Sequence, residues 1–154
     1  FSDNKGKPYA NITIHTGVWQ RKKLVFWLHS GDCALYGSGG EGFGLMPLEM
    51  MSTGLPVICA NNTGMLSYLK PGNHVPVACP KMVKDMTYSI GYGYDAYAWE
   101  FDYDQMVEQI RWAYKNRSAL DEIGVAGAME SRNWDWRQQT DIAARAILEH
   151  YHWA

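Results

Sequence analysis

Glu41-Gly-Phe-Gly-Leu-Met-Pro-Leu-Glu49, continuing as Met50-Met-Ser-Thr-Gly-Leu-Pro-Val57, is the stretch on which the reading of this chain turns. To its left, Cys33-Ala-Leu-Tyr36 is short and apolar, as a buried strand would be, and it runs into Gly37-Ser-Gly-Gly40. A helix is expected from about Leu45 to Thr53, where Gly54 can take the left-handed closing position and Pro56 forbids continuation. Strand, glycine-rich loop and helix in that order make an anion site, because free backbone N–H groups face outward at the positive end of the helix dipole. With Gly39, Gly40, Gly42 and Gly44 in the loop, backbone can approach a ligand without side-chain obstruction.

Two carboxylates sharpen this. Glu41 lies in the loop and Glu49 about one turn into the helix. Helical side chains lean toward the N-terminus, so Glu49 is expected to project toward the mouth that Glu41 lines. Two acceptors around an anion site suit a ligand with phosphate in the middle and hydroxyls at both ends, the pattern of a nucleotide sugar. Spacing alone serves equally well a loop glutamate that complements the dipole and a solvated glutamate on the helix.

Working outward, Ile12-Thr-Ile-His-Thr16 is β-branched and reads as a strand. Gln20 to Ser30 carries Leu24, Trp27 and Leu28 at helical spacing, and Gly31 stops it. Pro56 to Ala60 is the next strand, Asn61 to Gly64 a turn, Met65 to Lys70 a short helix, and His74 to Ala78 a further strand. Alternating strand and helix over 12–78 predicts an α/β fold, a Rossmann-like parallel sheet flanked by helices. Residues 79–101 are rich in Tyr and Gly without clear period and read as an aromatic loop insertion. Asp102-Tyr-Asp-Gln105 and Asp135-Trp-Arg-Gln138 have capping-box spacing. They open helices to about Asn116 and Tyr151, with another helix over Ser118 to Met129, so 102–153 is helical. Residues 1–154 are thus read as a single partial domain.

Composition bounds the function. With 47% hydrophobic and 19% charged residues in 154, the chain belongs with globular proteins that build a core. A formal charge of -2 provides no basic field for a phosphate backbone, so nucleic acid is not expected as a partner. No apolar run approaches the roughly 18 residues of a membrane span. Cys33, Cys59 and Cys79 sit in apolar runs without a Cys-x-x-Cys pair, which suggests unpaired thiols in a reducing, cytoplasmic setting.

The run from Glu41 to Val57 closely resembles the E-x7-E segment of family 4 retaining glycosyltransferases, whose two domains form the GT-B fold. Asp32 to Ser38 resembles that family's strand into the loop, and Val57 to Gly64 its next strand and turn. Asn133-Trp-Asp-Trp136 resembles its tryptophan motif at the start of the last helix. The resemblance implies a donor-binding role, with a nucleotide sugar such as a UDP- or GDP-sugar as substrate and no cofactor. Glu41 would position the donor sugar through its hydroxyls. The backbone of Gly42, Phe43, Gly44 and Leu45 would line the sugar–diphosphate region, and Glu49 would hold the ribose. The loop around His15, Thr16 and Gly17 matches the place of the nucleobase.

There are departures. Thr63-Gly64 and Ser67 stand where the family commonly has Gly-Gly and, three residues on, Glu. The aromatic stretch Tyr88 to Tyr103 exceeds the usual connection. Its acids Asp95, Glu100 and Asp104 accompany Asp102, whose better role is a helix cap, and no metal is assigned. Arg21, Lys22 and Lys23 read as a solvated helix face. The family's diphosphate-pairing Arg and Lys would precede Phe1, as would its N-terminal acceptor domain, so the chain is expected to be inactive alone. The acceptor, whether glycan, lipid or protein, is left open, as is a peripheral place at the inner membrane face. Trp134, Trp136, Tyr151 and Trp153 exceed what one helix face buries and predict self-association. Two alternatives remain: a nucleotide-sugar-binding module acting with a partner subunit, or a related GT-B phosphorylase or epimerase.

Overall fold

A computed structural model describes residues 12–85, Gly91, Gly93 and 95–150. Its centre is a sheet of three short parallel strands, β1 (Ala34–Tyr36), β2 (Val57–Ala60) and β3 (Val75–Val77), in the order β1-β2-β3. Leu35 lies opposite Ile58, and Cys59 opposite Pro76. All four residues of β2 are buried, as a continuous apolar run in a parallel sheet covered on both faces requires. Successive side chains of β2 serve opposite faces. Val57 and Cys59 join a cluster with Leu48, Met51, Met65 and Tyr68, while Ile58 joins Val75, Val77, Met106 and Leu120. The expected α/β architecture, a Rossmann-like parallel sheet flanked by helices, is the one observed.

The first cluster is covered by α2 (Leu45–Ser52), the second by α3 (Tyr103–Lys115) and α4 (Arg117–Ser131). α2 ends as its sequence predicts, with Gly54 left-handed at φ +79°. Gly124 of α4 closes on the carbonyl of Gly54, a contact that admits no side chain and draws α4 against the end of α2. Asp102 caps α3, accepting from the Gln105 N–H at 2.9 Å. Gln105 does not reach back in a reciprocal box; its side-chain oxygen accepts the Ala78 N–H instead and ties α3 to the end of β3. Asp135 accepts from the N–H groups of Arg137 and Gln138 and opens α5 (Trp136–His150).

Three expectations are corrected. Ile12 to Thr16 is not a strand: these residues are irregular, and Ile12 and Ile14 are more than half exposed. β-branched residues favour a pleated surface only where a neighbouring strand supplies the ladder, and none of the described strands pairs with this segment. The stretch read as an aromatic loop contains an antiparallel hairpin, β4 (Lys81–Lys84) with β5 (Tyr97–Glu100). Ion pairs Lys81–Glu100 and Lys84–Asp95 join its two halves, a non-local pairing that local periodicity does not display. Tyr88 lies outside the described residues. The short helix expected from Met65 is a 3-10 turn over Thr63–Ser67, one turn being all that fits before Lys70 and Asn73 make their own bend.

Candidate functional site

The loop between β1 and α2 is braced from several sides. Tyr36, the last residue of β1, donates its hydroxyl to Glu41 Oε1 at 2.5 Å. Burial, reinforced by that hydrogen bond, pushes the Tyr36 phenol up to about 12. The Glu41 N–H donates to Thr63 Oγ1 at 2.9 Å, and the Glu41 carbonyl accepts the Gly64 N–H at 3.1 Å. Asn62, itself buried, donates to the Ser38 carbonyl at 2.8 Å and accepts the Thr63 hydroxyl. On the other flank the Trp99 N–H of β5 donates to the Gly39 carbonyl at 2.7 Å. The hairpin that composition concealed is therefore a wall of the loop.

Glycine is required here for two different reasons. Gly44 caps α2 at φ +80°, with Met65 Cγ 2.5 Å and the Tyr68 hydroxyl 2.8 Å from where a Cβ would stand. Its carbonyl accepts the buried Tyr68 hydroxyl. Gly64 lies directly behind Gly42, and any Cβ would collide with the Gly42 carbonyl. Gly42 itself faces open space. Thr63 adopts φ +46°, an unusual conformation for a β-branched residue, and its hydroxyl is the one that holds Glu41.

Beside the loop, a cavity of about 470 Å³ opens between α1 (Arg21–His29), α2 and the start of α5. Phe43, Leu45 and Glu49 line it from the loop and α2, Arg21 from α1, and Trp134 and Trp136 from the C-terminal side. The volume lies within the usual range of small-ligand sites. Phe43 is fixed by an aromatic cluster, its ring 5.4 Å from Tyr68 and 5.2 Å from Trp134. Trp134 also donates its indole N–H to Glu130 at 3.1 Å. It is half-buried, which corrects the expectation that it is one of the surplus exposed aromatics. Trp136 remains 76% exposed, and Tyr151 and Trp153 lie outside the described residues.

Most polar side chains of the cavity are bonded to nearby backbone. Ser52 donates to the Glu49 carbonyl, Ser131 to Ala128, and Gln139 to Asn133, while Asp135 caps α5. The Arg21 guanidinium and the Glu49 carboxylate enter no hydrogen bond or ion pair among the described residues. The first N–H groups of α2, Leu45 and Met46, likewise have no carbonyl of their own helix to bond. A carboxylate, a guanidinium and free N–H groups can together take a ligand that carries both hydroxyls and negative charge.

The residues singled out from sequence fall into three places. Phe43, Leu45 and Glu49 line the cavity; Glu41, Gly42 and Gly44 belong to the same loop without lining it. His15, Thr16 and Gly17 lie apart from it in the irregular N-terminal segment, where the His15 ring packs edge-on against Trp19 and Trp27 at 5.0 and 5.7 Å. Arg21, read from sequence as part of a solvated helix face, is exposed as expected and also lines the cavity. Its neighbour Lys23 lies over the Trp19 ring at 4.3 Å. Glu100 and Asp95 are engaged in the hairpin ion pairs and Asp102 in its cap. No helix of the described residues is long and apolar enough to cross a membrane.

Two comparisons bear on this arrangement. The family model described as "Glycosyl transferases group 1" matches residues 6–128. The sulfoquinovosyl transferase SQD2 of Arabidopsis thaliana is 29% identical over 127 residues, which cover 82% of this chain and 22% of that protein. The chain thus spans about a fifth of the length of the curated relative it matches.

Proposed function

Because the chain belongs to the group 1 glycosyl transferases, we propose that its Glu41–Glu49 segment binds the nucleotide-sugar donor of a retaining transfer reaction, of the family 4, hexosyl type. The observation that carries this reading is the unengaged Glu49 carboxylate on a cavity wall, one turn from the free N–H groups that open α2. The donor's diphosphate lies against the N–H groups of Gly42 to Leu45, Glu49 accepts from the ribose hydroxyls, and Glu41 accepts from the sugar. The hydrogen bond from Tyr36 leaves Glu41 one oxygen to offer and sets its direction. When the bond between the anomeric carbon and the diphosphate breaks, negative charge grows on the leaving oxygen. Preorganised N–H dipoles stabilise that charge without rearrangement, and the acceptor hydroxyl, giving its proton to the departing diphosphate oxygen, forms the new bond on the face the diphosphate leaves. His15 to Gly17 are assigned to the nucleobase end.

The acceptor, be it glycan, lipid or protein, is bound by other parts of the protein. This chain is therefore a donor-binding part expected to have negligible turnover alone, and the exposed Trp136 marks a surface for self-association. Calorimetric titration with UDP- and GDP-sugars, a sulfoquinovosyl donor included, tests the reading. Glu49→Ala should weaken binding about 10- to 100-fold, the range for removing a charged hydrogen-bond partner. Because Glu49 is exposed, the fold should be unchanged. Donor binding that is indifferent to this substitution would overturn the ribose assignment.

A further inference from the structure

Glu41 stands in a ring of polar side chains whose own protons are engaged inside the protein. The Tyr36 hydroxyl donates to Glu41 Oε1 at 2.5 Å, the Ser38 hydroxyl to the Gly40 carbonyl at 3.2 Å, and the Thr63 hydroxyl to Asn62 Oδ1 at 2.8 Å. The Asn62 amide nitrogen donates twice, to the Ser38 carbonyl and to Cys79 Sγ. The backbone N–H of Glu41 goes to Thr63 Oγ1, and that of Gly40 to Ser38 Oγ. Among the described residues no Lys, Arg or His forms an ion pair with Glu41. What these side chains still offer is acceptor capacity: Glu41 Oε2 and the remaining lone pairs of the hydroxyls. There is also room for a ligand. Gly39 is filled by β5, where a Cβ would stand 2.9 Å from the Trp99 carbonyl oxygen. On either side of Glu41, however, a Cβ on Gly40 would meet only Thr63 Cγ2 at 4.0 Å, and one on Gly42 would meet nothing.

We propose that this ring accepts hydrogen-bond donors only, so that the transferred sugar meets Glu41 with hydroxyl or amino groups and never with an acidic one. The inference rests on the donor reading above and adds a substrate class to it: a neutral or amino sugar at that ring position. A hydroxyl can turn its proton to a carboxylate, and an ammonium group does so with opposite charge. A carboxylate, sulfonate or phosphate brings acceptors and negative charge alone. It faces Glu41 acceptor to acceptor, with no paired cation and no free side-chain proton in the ring to bridge them. The free N–H groups from Gly42 onward are allotted to the diphosphate. Tyr36 also decides which way a replacement faces. In Glu41→Gln the Tyr36 hydroxyl still needs an acceptor, so the amide oxygen takes that place and the NH2 is turned to the sugar.

Fluorine and amino substitution separate the two roles, because a C–F group accepts weakly and never donates. Competition calorimetry compares UDP-glucose and GDP-glucose with their 2-, 3-, 4- and 6-deoxy, deoxyfluoro and aminodeoxy analogues, for the unaltered chain and Glu41→Gln. Circular dichroism checks that the variant is folded. At the ring position that responds to Glu41→Gln, the fluoro sugar should bind the unaltered chain about tenfold more weakly than the hydroxyl sugar, and no better than the deoxy sugar. The amino sugar should bind at least as tightly as the hydroxyl sugar. Glu41→Gln places a donor there and should invert the order, the fluoro analogue overtaking the deoxy and the amino analogue falling behind it. A fluoro analogue that outbinds the deoxy by more than about threefold in the unaltered chain reveals a donor and overturns the proposal. An amino analogue weaker than the deoxy does the same. Should Glu41→Gln fail to fold, the position is the one at which the deoxy sugar loses most, and the ranking in the unaltered chain decides alone. If nucleotide sugars bind with a Glu49 dependence but no ring position responds to Glu41→Gln, only this inference falls; if none binds, the donor reading falls with it.

Discussion

Gly64→Ala probes the loop from behind. A Cβ on Gly64 would overlap the Gly42 carbonyl and stand 2.9 Å from Phe43 Cα. Both obstacles are backbone, so no side-chain rotation relieves the contact. The loop must move outward or the Thr63–Ser67 turn must move away, and either loosens the bond from the Gly64 N–H to the Glu41 carbonyl. Overpacking of this kind costs about 1–3 kcal/mol, and a rigid obstacle puts it in the upper part of that range. For a chain of this size the midpoint of thermal unfolding should fall by roughly 4–12 °C. Gly42→Ala is the matched control, because its Cβ meets nothing within 4 Å. Its stability should stay within about 0.5 kcal/mol of the unaltered protein. Its donor affinity should fall about tenfold, since the added methyl group stands where ligand must approach backbone. Thermal denaturation followed by near-ultraviolet circular dichroism, paired with nucleotide titration, reads both. A Gly64→Ala protein as stable as the parent would refute the claim that this glycine carries the loop.

Three further outcomes are expected. Tyr36→Phe should remove one phenol ionising near 12 from an ultraviolet titration. The folded state keeps the Tyr36 proton to higher pH than the unfolded chain, so its stabilising contribution is full below about 10 and is lost as pH rises toward 12. His74 gives the opposite acid-side signature. Its Nδ1 donates to the Lys70 carbonyl and to Asn73 Oδ1, Nε2 is buried without a partner among the described residues, and burial lowers its pKa. The unfolded chain therefore takes up that proton first, and stability should decline as pH falls below about 6.5. Urea unfolding of His74→Gln should show a shallower slope over that window, the difference having a ceiling of about 1.4 kcal/mol per pH unit. Finally, Thr63→Ala loses the hydroxyl that holds the Glu41 N–H yet keeps a Cβ at φ +46°, whereas Thr63→Gly loses that hydroxyl and, with the rest of the side chain, the cost of the left-handed conformation. Chemical denaturation should find the glycine variant about 1 kcal/mol more stable than the alanine variant.

The parts of the fold marked by local chemistry were legible in the sequence. Gly54 and Pro56 bound α2 and β2, Val57-Ile-Cys-Ala60 is apolar throughout, and Asp102 and Asp135 cap the helices they precede. What escaped depends on partners distant in sequence. Ile12 to Thr16 has strand composition but no described strand pairs with it. Lys81, Lys84, Asp95 and Glu100 look like scattered surface charges until β4 and β5 pair. Arg21 heads a run of three cations that suggests a solvated face; it is exposed, and that it also lines the cavity shows only when α5 starts beside α1. Thr63 was visible as a departure from the family pattern. Its purpose was not, because the N–H it accepts belongs to Glu41 on the neighbouring loop. Trp134 looked surplus because its partners, Phe43 and Tyr68, lie in other elements.

The donor-site claim is tested most directly by the amide signals of Gly42, Phe43, Gly44 and Leu45 in nuclear magnetic resonance spectra during titration with a nucleotide sugar. These four should shift together and saturate, accompanied by the indole signal of Trp136, and Glu49→Ala should move their midpoint to at least tenfold higher ligand concentration. Shifts confined to the β4–β5 hairpin or the far side of the sheet, with Gly42 to Leu45 unmoved at saturating ligand, would contradict it.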